Sequence, residues 1–325
     1  MGGQERMSNL LKNRTLSLAK EIYNARKSAA IDLLKFKNKF VERNCPICNS
    51  TNGKIKYIFG YDCKKCDHCG LDYVSFVPNA EHLRHYYNDQ RVANMNKQLW
   101  QRDRTREFRQ KLSLIESLNL SQKLIELGAG PGQFVKYLNN NGYSAIGYEI
   151  DVDACKIAKK NGVIVKSIDI ESEKLVYDSG GGYLMYEIIE HIRNPRKTLI
   201  NIYNALKTGG YLIITTPNAH GVDNVNIPPE TDGRFLASAL FPPYHINAFS
   251  VSSLYHLLLD IGFSIFDIKT PGQLDVELID LHTDYFNDIN FFSMDQKNKV
   301  FSIFQSIISS ACGSGHMQVI AKKPG

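Results

Sequence analysis

Leu124-Ile125-Glu126-Leu127-Gly128-Ala129-Gly130-Pro131-Gly132-Gln133-Phe134 is the stretch on which the reading of this chain turns. A short apolar run meets a glycine-rich turn, and the turn opens into helical spacing. Glycines there let a ligand approach the main chain closely at the start of a helix. A G-x-G alone is a weak signal. It is sharpened by the acid Glu126 ahead of the turn, by a third glycine at Gly132, and by Glu149, which ends the next apolar run 21 residues after Gly128. A dinucleotide fingerprint would need glycine where Gln133 stands, and Glu126 would put negative charge near a pyrophosphate. The pattern suits a cationic ligand without phosphate, whose ribose hydroxyls a carboxylate such as Glu149 can accept.

Outward from this turn the texture repeats. Leu124 to Leu127, Ser144 to Glu149, Val163 to Ile168, Tyr183 to Glu187, Tyr211 to Thr215, Phe263 to Lys269 and Met317 to Ala321 are short apolar runs separated by amphipathic segments. Strands alternating with helices predict an α/β domain with a mostly parallel sheet over 111–325. Upstream, 79–110 returns to helical spacing with many charges, among them Arg102, Arg104, Glu107 and Arg109, and is taken as a helical linker. Within 1–42, Leu18, Ile22, Ala25, Ala29, Leu33, Phe36 and Phe40 recur at steps of three and four, which predicts a helical N-terminal extension.

A chain of 325 residues, 43% hydrophobic and 22% charged, can bury a sizeable core. No apolar run approaches the roughly 18 to 20 residues needed to span a bilayer, and the start lacks the apolar core of a signal peptide, so a cytoplasmic location is expected. The net charge is +6, but residues 5 to 43 alone hold ten Lys and Arg against four Asp and Glu. The remainder is close to neutral, which argues against a nucleic-acid partner for the α/β domain. The basic helix is expected to pack on the domain, or to form a homodimer or partner contact.

Five of the seven cysteines lie close together in sequence. Cys45-Pro-Ile-Cys48 and Cys66-Asp-His-Cys69 are two C-x2-C knuckles 17 residues apart, the spacing of a four-cysteine zinc site, and define a small zinc ribbon over 43–78. Gly70 directly after Cys69 supplies the permissive backbone that tight knuckles use, which favours Cys69 over Cys63 and leaves Cys63 and His68 as spares. Four thiolates close the coordination shell, so the expected role of Zn²⁺ is structural.

The loop E-x-G-x-G-x-G from Glu126 with its later acid Glu149 resembles motif I and its partner in class I S-adenosylmethionine-dependent methyltransferases, over most of 110–325. The resemblance implies a Rossmann-like, mostly parallel seven-stranded sheet with the last strand antiparallel, and S-adenosylmethionine as cofactor. It implies that Gly128 and Gly130, in a loop with Glu126 and Gly132, line the methionine part, with Glu149 at the ribose, Ile150 on the adenine face and Asp169 at the adenine amino group. Tyr186-Glu187-Ile-Ile-Glu190-His191 to Pro195 is similar to the family's segment after the fourth strand, which adds Glu187 to the cofactor set, and Gly209 to Asn218 is similar to its fifth strand. The family usually opens the fourth strand with Asp; here Gly180-Gly181-Gly182 stands there, and Asp178 falls too early. The knuckles, Tyr86-Tyr87, Pro242-Pro243-Tyr244-His245 and Pro271 to Asp275 together resemble a narrower group with an N-terminal four-cysteine domain, found among sugar and surface-polysaccharide modifying enzymes.

Methyl transfer is an in-line displacement, so a protein must align a nucleophile and take its proton. By the resemblance, the residues after the fourth strand face the methyl. Glu190-His191 then offers a base and a tuning carboxylate, and His245 a second imidazole. The expected acceptor is a sugar, nucleotide sugar or polysaccharide-related small molecule. The alternative is a lipid or quinone-like acceptor of an O-methyltransferase, with an RNA methyltransferase or a non-catalytic scaffold behind both.

Overall fold

The computed structural model describes residues 16–120, 123–172, 175, 181–225, 239–272 and 294–325. Asp178, Gly180 and the 273–275 end of the Pro271 segment lie outside the described residues.

In chain order, helix α1 (Leu16–Leu33) leads through a 3-10 turn (Leu34–Lys39) to β1 (Val41–Glu42), β2 (Gly53–Ile58), β3 (Tyr61–Cys66), β4 (Asp72–Val74) and β5 (Phe76–Val77). Three helices follow, α2 (Ala80–Asn88), α3 (Gln90–Trp100) and α4 (Thr105–Ser117). The α/β part then runs β6 (Lys123–Leu127), α5 (Gln133–Asn140), β7 (Ser144–Glu149), α6 (Val152–Lys160), β8 (Val165–Ser167), β9 (Gly182–Tyr186), α7 (Pro195–Ala205) and β10 (Tyr211–Pro217). It closes with α8 (Val222–Val225), β11 (Asn247–Ala248), α9 (Val251–Ile261), β12 (Ser264–Lys269), α10 (Met294–Ser310) and β13 (His316–Lys322).

Seven strands form one sheet in the order β12-β13-β10-β9-β6-β7-β8. β8, β7, β6, β9 and β10 pair in parallel, while β13 runs antiparallel to both β10 and β12. This is the expected seven-stranded Rossmann-like α/β sheet with its last strand antiparallel. Helices cover both faces, so the central strands read as nearly continuous apolar runs. Successive residues of β6, β9 and β10 go to opposite faces: Ile125, Tyr183, Met185, Leu212 and Ile214 pack with Leu199 and Ile202 of α7 and Leu254, Leu257 and Leu258 of α9. Leu124, Leu184 and Ile213 pack with Phe108, Leu112 and Ile115 of α4 and Phe134, Val135 and Leu138 of α5.

Local chemistry sets the boundaries. Asp151 caps α6 by accepting from the N–H groups of Asp153 and Ala154, and Ser250 with Ser253 forms a reciprocal capping box on α9. β9 opens at Gly182 because β10 passes too near for a side chain: a Cβ there would lie 2.9 Å from the Tyr211 carbonyl oxygen. β8 is shorter than the apolar run Val163 to Ile168 suggests, since Val163 closes the turn after α6 by donating to the Ala158 carbonyl (3.0 Å).

The cysteine-bearing segment is built into this frame. β2, β3 and β4 are antiparallel, and β4 continues its sheet onto β11, pairing Tyr73 with Asn247 and Asp72 with Ala248. Cys45, Ile47, Cys66, Leu71 and Tyr73 belong to the same buried cluster as Leu199, Phe249 and Leu254. Arg43 fastens the junction by donating to the carbonyls of Val74 (2.7 Å), Arg193 (2.9 Å) and Ile246 (2.7 Å) and to Asn247 Oδ1 (3.0 Å). α1 uses its apolar face within the chain: Ala29, Ala30 and Leu33 pack with Tyr61, Cys63, Val74 and Tyr86, and the Tyr61 hydroxyl donates to the Ala30 carbonyl at 2.7 Å. Among the described residues no helix is long and apolar enough to cross a membrane.

Candidate active site

The carboxyl ends of β6, β7, β9 and β10 gather the residues singled out in the sequence, at the edge where open parallel sheets bind ligands. In the loop after β6, Gly128, Gly130 and Gly132 all take positive φ (67°, 51° and 72°). At Gly128 even a methyl group would collide with the Ile188 side chain, so the loop lies flat against the segment after β9. Gly128 and Ala129 both donate to the Tyr148 carbonyl (2.8 and 3.1 Å), which binds this loop to the end of β7.

Glu149 ends β7 with its carboxylate held by three backbone donors, Gly130 N–H on Oε2 (2.8 Å) and Ile150 and Asp151 N–H on Oε1 (2.8 and 2.9 Å). A carboxylate has about four acceptor sites, so capacity remains for a ligand hydroxyl. Ile150 beside it is 64% exposed, an apolar surface that the fold leaves open. Asp169 lies past β8, its Oδ1 accepting from Glu171 N–H at 2.9 Å. Trp100 at the end of α3 packs over the loop: Gln133 donates to its carbonyl at 2.6 Å, and its indole nitrogen would be 3.5 Å from a Cβ on Gly130. Glu126 is buried with Oε2 unpartnered among the described residues. Burial raises its carboxyl to about 7, although Lys111 and Arg104 pull it down.

Across the loop, the segment after β9 supplies the acid and imidazole groups. Glu187 takes φ 57°, and its carboxylate is turned to the Thr215 hydroxyl (2.8 Å) and to His316 Nε2 on β13 (3.1 Å). Glu190 is 1% exposed; Oε2 accepts from the Thr216 hydroxyl (2.9 Å), while Oε1 has no hydrogen-bond partner among the described residues and lies 3.8 Å from His191 Nε2. Burial and the nearby Glu187 charge raise the Glu190 carboxyl well above its ordinary range.

His191 Nδ1 sits 2.6 Å from the Tyr244 carbonyl oxygen. A carbonyl can only accept, so Nδ1 carries the proton and Nε2 of the neutral ring keeps its lone pair. Burial, with the Arg26 charge adding to it, lowers His191 to about 4 against the opposing pull of the Tyr244 carbonyl. The loop that provides Tyr244 and His245 is fixed by the Ile246 N–H donating to the Glu190 carbonyl (2.9 Å). It brings the His245 ring to 4.9 Å from His191, and one ligating atom each of Glu190, His191 and His245 falls within 4.8 Å of the others.

The four cysteines of the two knuckles converge separately. Their sulfurs all lie within 4.8 Å of one another, with Cys45–Cys69 at 3.4 Å and Cys48–Cys66 at 3.5 Å. A tetrahedron with metal–sulfur bonds of about 2.3 Å has edges of roughly 3.8 Å, so the donor set and its spacing fit a four-coordinate thiophilic ion. Cys63, three positions before Cys66 on β3 and on the opposite face, is buried against α1 in a different cluster, with its thiol directed to the Tyr61 carbonyl.

Three residues not singled out as site residues complete this end of the sheet. Arg26 reaches in from α1 with its guanidinium carbon 3.7 Å from the Tyr244 ring centroid, Tyr244 packs at 4.5 Å from His191, and His316 pairs with Glu187. Tyr244 lies inside the quoted Pro242 to His245 motif; Arg26 and His316 stand in no local pattern. Tyr87 of the Tyr-Tyr pair also meets Tyr244, at 6.2 Å.

A five-strand parallel run with an antiparallel seventh strand, a triple-glycine loop and an acid at the end of the second strand define the class of S-adenosylmethionine-dependent methyltransferases. The methyltransferase-domain family model matches residues 100–267, over half of the chain, and the chain belongs to that family. An uncharacterized protein of Methanocaldococcus jannaschii is 32% identical over 93 residues, 28% of this chain; the match spans 42% of that relative's length. Among solved structures, an S-adenosylmethionine-dependent methyltransferase of Archaeoglobus fulgidus is similar at 19% identity and TM-score 0.47, over 68% of this chain and 95% of that one. A possible histamine N-methyltransferase of Thermotoga maritima is similar at 20% identity and TM-score 0.44, over 66% and 89%.

Proposed function

We propose that this chain transfers a methyl group from S-adenosylmethionine to a sugar-type small molecule, with His191 taking the acceptor's proton. Bound S-adenosylmethionine supplies an electrophilic methyl group. As the acceptor took up that group, the electron pair of the broken carbon–sulfur bond would stay on sulfur and His191 Nε2 would receive the proton the acceptor loses. The observation that carries this reading is the bond between His191 Nδ1 and the Tyr244 carbonyl, which leaves Nε2 as the acceptor edge of a neutral ring. Glu190 and His245 flank that edge, and Glu190 orients and tunes the imidazole. On the cofactor side, Glu149 receives the ribose, Ile150 the adenine face, Asp169 the adenine amino group, and Glu126 with Gly128, Gly130 and Gly132 the methionine part. Glu187 sets the segment between the two ligands through Thr215 and His316.

Support for a sugar-type acceptor comes from the meeting of Tyr87, Tyr244, His191 and His245, which sequence motifs far apart contribute. Flat rings with polar tips suit a hydroxyl-bearing ring. In the same reading Cys45, Cys48, Cys66 and Cys69 hold one structural Zn²⁺. The test is a calorimetric titration with S-adenosylhomocysteine, followed by mass spectrometry of nucleotide sugars and of quinol-like phenols incubated with S-adenosylmethionine. A nucleotide sugar gaining the mass of one CH₂ supports the proposal. Methylation confined to the phenols transfers the chain to the lipid or quinone reading, and absence of S-adenosylhomocysteine binding removes both.

A further inference from the structure

α1 does more than cover the ribbon. Its Arg26 reaches the aromatic cluster around His191. The guanidinium carbon stands 3.7 Å from the Tyr244 ring centroid, and the same ring lies 4.5 Å from His191. Arg26 Nε is buried without a hydrogen-bond partner among the described residues. A second donor is orphaned in the same neighbourhood: the Tyr86 hydroxyl is buried and unpartnered, on a residue 1% exposed whose ring lies 5.5 Å from Tyr87. The Arg26 charge acts on Tyr86, Tyr87 and His191 alike, so these groups share one neighbourhood.

Two buried donors without acceptors are a costly arrangement unless a ligand satisfies them. A guanidinium on an aromatic ring face keeps its in-plane N–H edge free for an acceptor, and that edge matches carboxylate and phosphate oxygens. No carboxylate of the described residues is paired with Arg26, in contrast to Arg91 on α3, which holds Asp32 and Asp89 at 2.7 Å each.

Resting on the methyltransferase reading above, we propose that the acceptor is an anion bearing a phosphate or a carboxylate, and that Arg26, with the Tyr86 hydroxyl, binds that group above Tyr244 while the methylated atom faces His191. The N-terminal helix is then part of the acceptor site, and the specificity for charged over neutral acceptors lies in a residue outside the α/β domain. Binding of the anion also cancels the positive charge that disfavours a proton on His191, so one event seats the acceptor and strengthens the base.

The test uses the full chain saturated with S-adenosylhomocysteine and calorimetry with matched probes: phenyl phosphate against phenol, and benzoate against benzyl alcohol. In the unaltered protein one anion of the two pairs is expected to bind at least about tenfold more tightly than its neutral match. Which pair shows it tells phosphate from carboxylate. Arg26→Gln should abolish that preference and Arg26→Lys should keep part of it, with S-adenosylhomocysteine affinity and the thermal midpoint unchanged in both. Equal binding of anions and neutral matches by the unaltered protein, or a preference that survives in Arg26→Gln, overturns the proposal. Failure of S-adenosylhomocysteine to bind is a separate result and counts against the methyltransferase reading, not against Arg26.

Discussion

At the scale of single residues, the site pairs groups whose surroundings push them in opposite directions. Glu190 is driven toward its neutral form and His191 is kept unprotonated, so the pair enters the reaction without a buried net charge. Replacing His191 by Asn keeps size and one hydrogen-bonding edge but removes the proton acceptor. Turnover is expected to fall by about 10² to 10⁴, with S-adenosylhomocysteine affinity unchanged and partial recovery at high pH. A loss confined to acceptor binding and indifferent to pH would instead make His191 a positioning residue.

Glu126 gives a pH signature of its own. Its folded-state value is raised to about 7, against roughly 4.3 for an unperturbed glutamate, so the folded chain binds a proton that the unfolded chain releases in that window. The contribution to stability is present in full below about pH 4 and is lost as pH rises through 7, on the order of 3 to 4 kcal/mol. Urea unfolding at pH 5 and pH 7.5 should show the decline, and Glu126→Gln should flatten it. An unchanged slope in that variant would place the titration elsewhere.

At the scale of elements, the decisive contact is that of β4 (Asp72–Val74) with β11 (Asn247–Ala248), two short strands far apart in the sequence. Pairs this short are weak by themselves, and Arg43 supplies what they lack by capping four acceptors on both sides of the junction. Arg43→Met fills similar volume but leaves those acceptors without their donor. The expected cost is about 2 to 4 kcal/mol, read as a lower urea midpoint. Because the junction also sets the loop that carries Tyr244 and His245, turnover should fall further than the loss of folded protein explains. Normal turnover per folded molecule would show that the loop is placed without it.

At the scale of the whole molecule, the knuckles and the catalytic sheet share a core rather than a surface. Cys45, Ile47, Cys66 and Tyr73 are packed into the cluster that holds Phe249 and Leu254, and the Arg196 guanidinium bonds the Ile47 carbonyl and Asp260 across the same interface. With Zn²⁺ held by the four cysteines as proposed, a chelator is therefore expected to lower a single thermal transition by about 10 °C or more. An early, separate melt of the ribbon that leaves the main transition in place would mean that the two parts fold independently.

The seven strands, the glycine loop with its two acids, and the two cysteine knuckles were legible in the amino-acid sequence because each is a local code. Apolar runs of strand length, glycine where φ must be positive, and two thiols one turn apart are properties of a few consecutive residues. What joins these pieces was not. That Cys69 rather than Cys63 stands with the other three sulfurs follows from which face of β3 meets the sheet and which meets α1. That His316 reaches Glu187 follows from the antiparallel register of β13, which sets His316 opposite Pro217. Arg26, Arg43 and Tyr244 acquire their partners only when helix, ribbon and sheet dock, and contacts between residues a hundred or more positions apart leave no periodicity in the chain to read. Local patterning determined the elements and the cofactor loop; tertiary packing decided what surrounds His191.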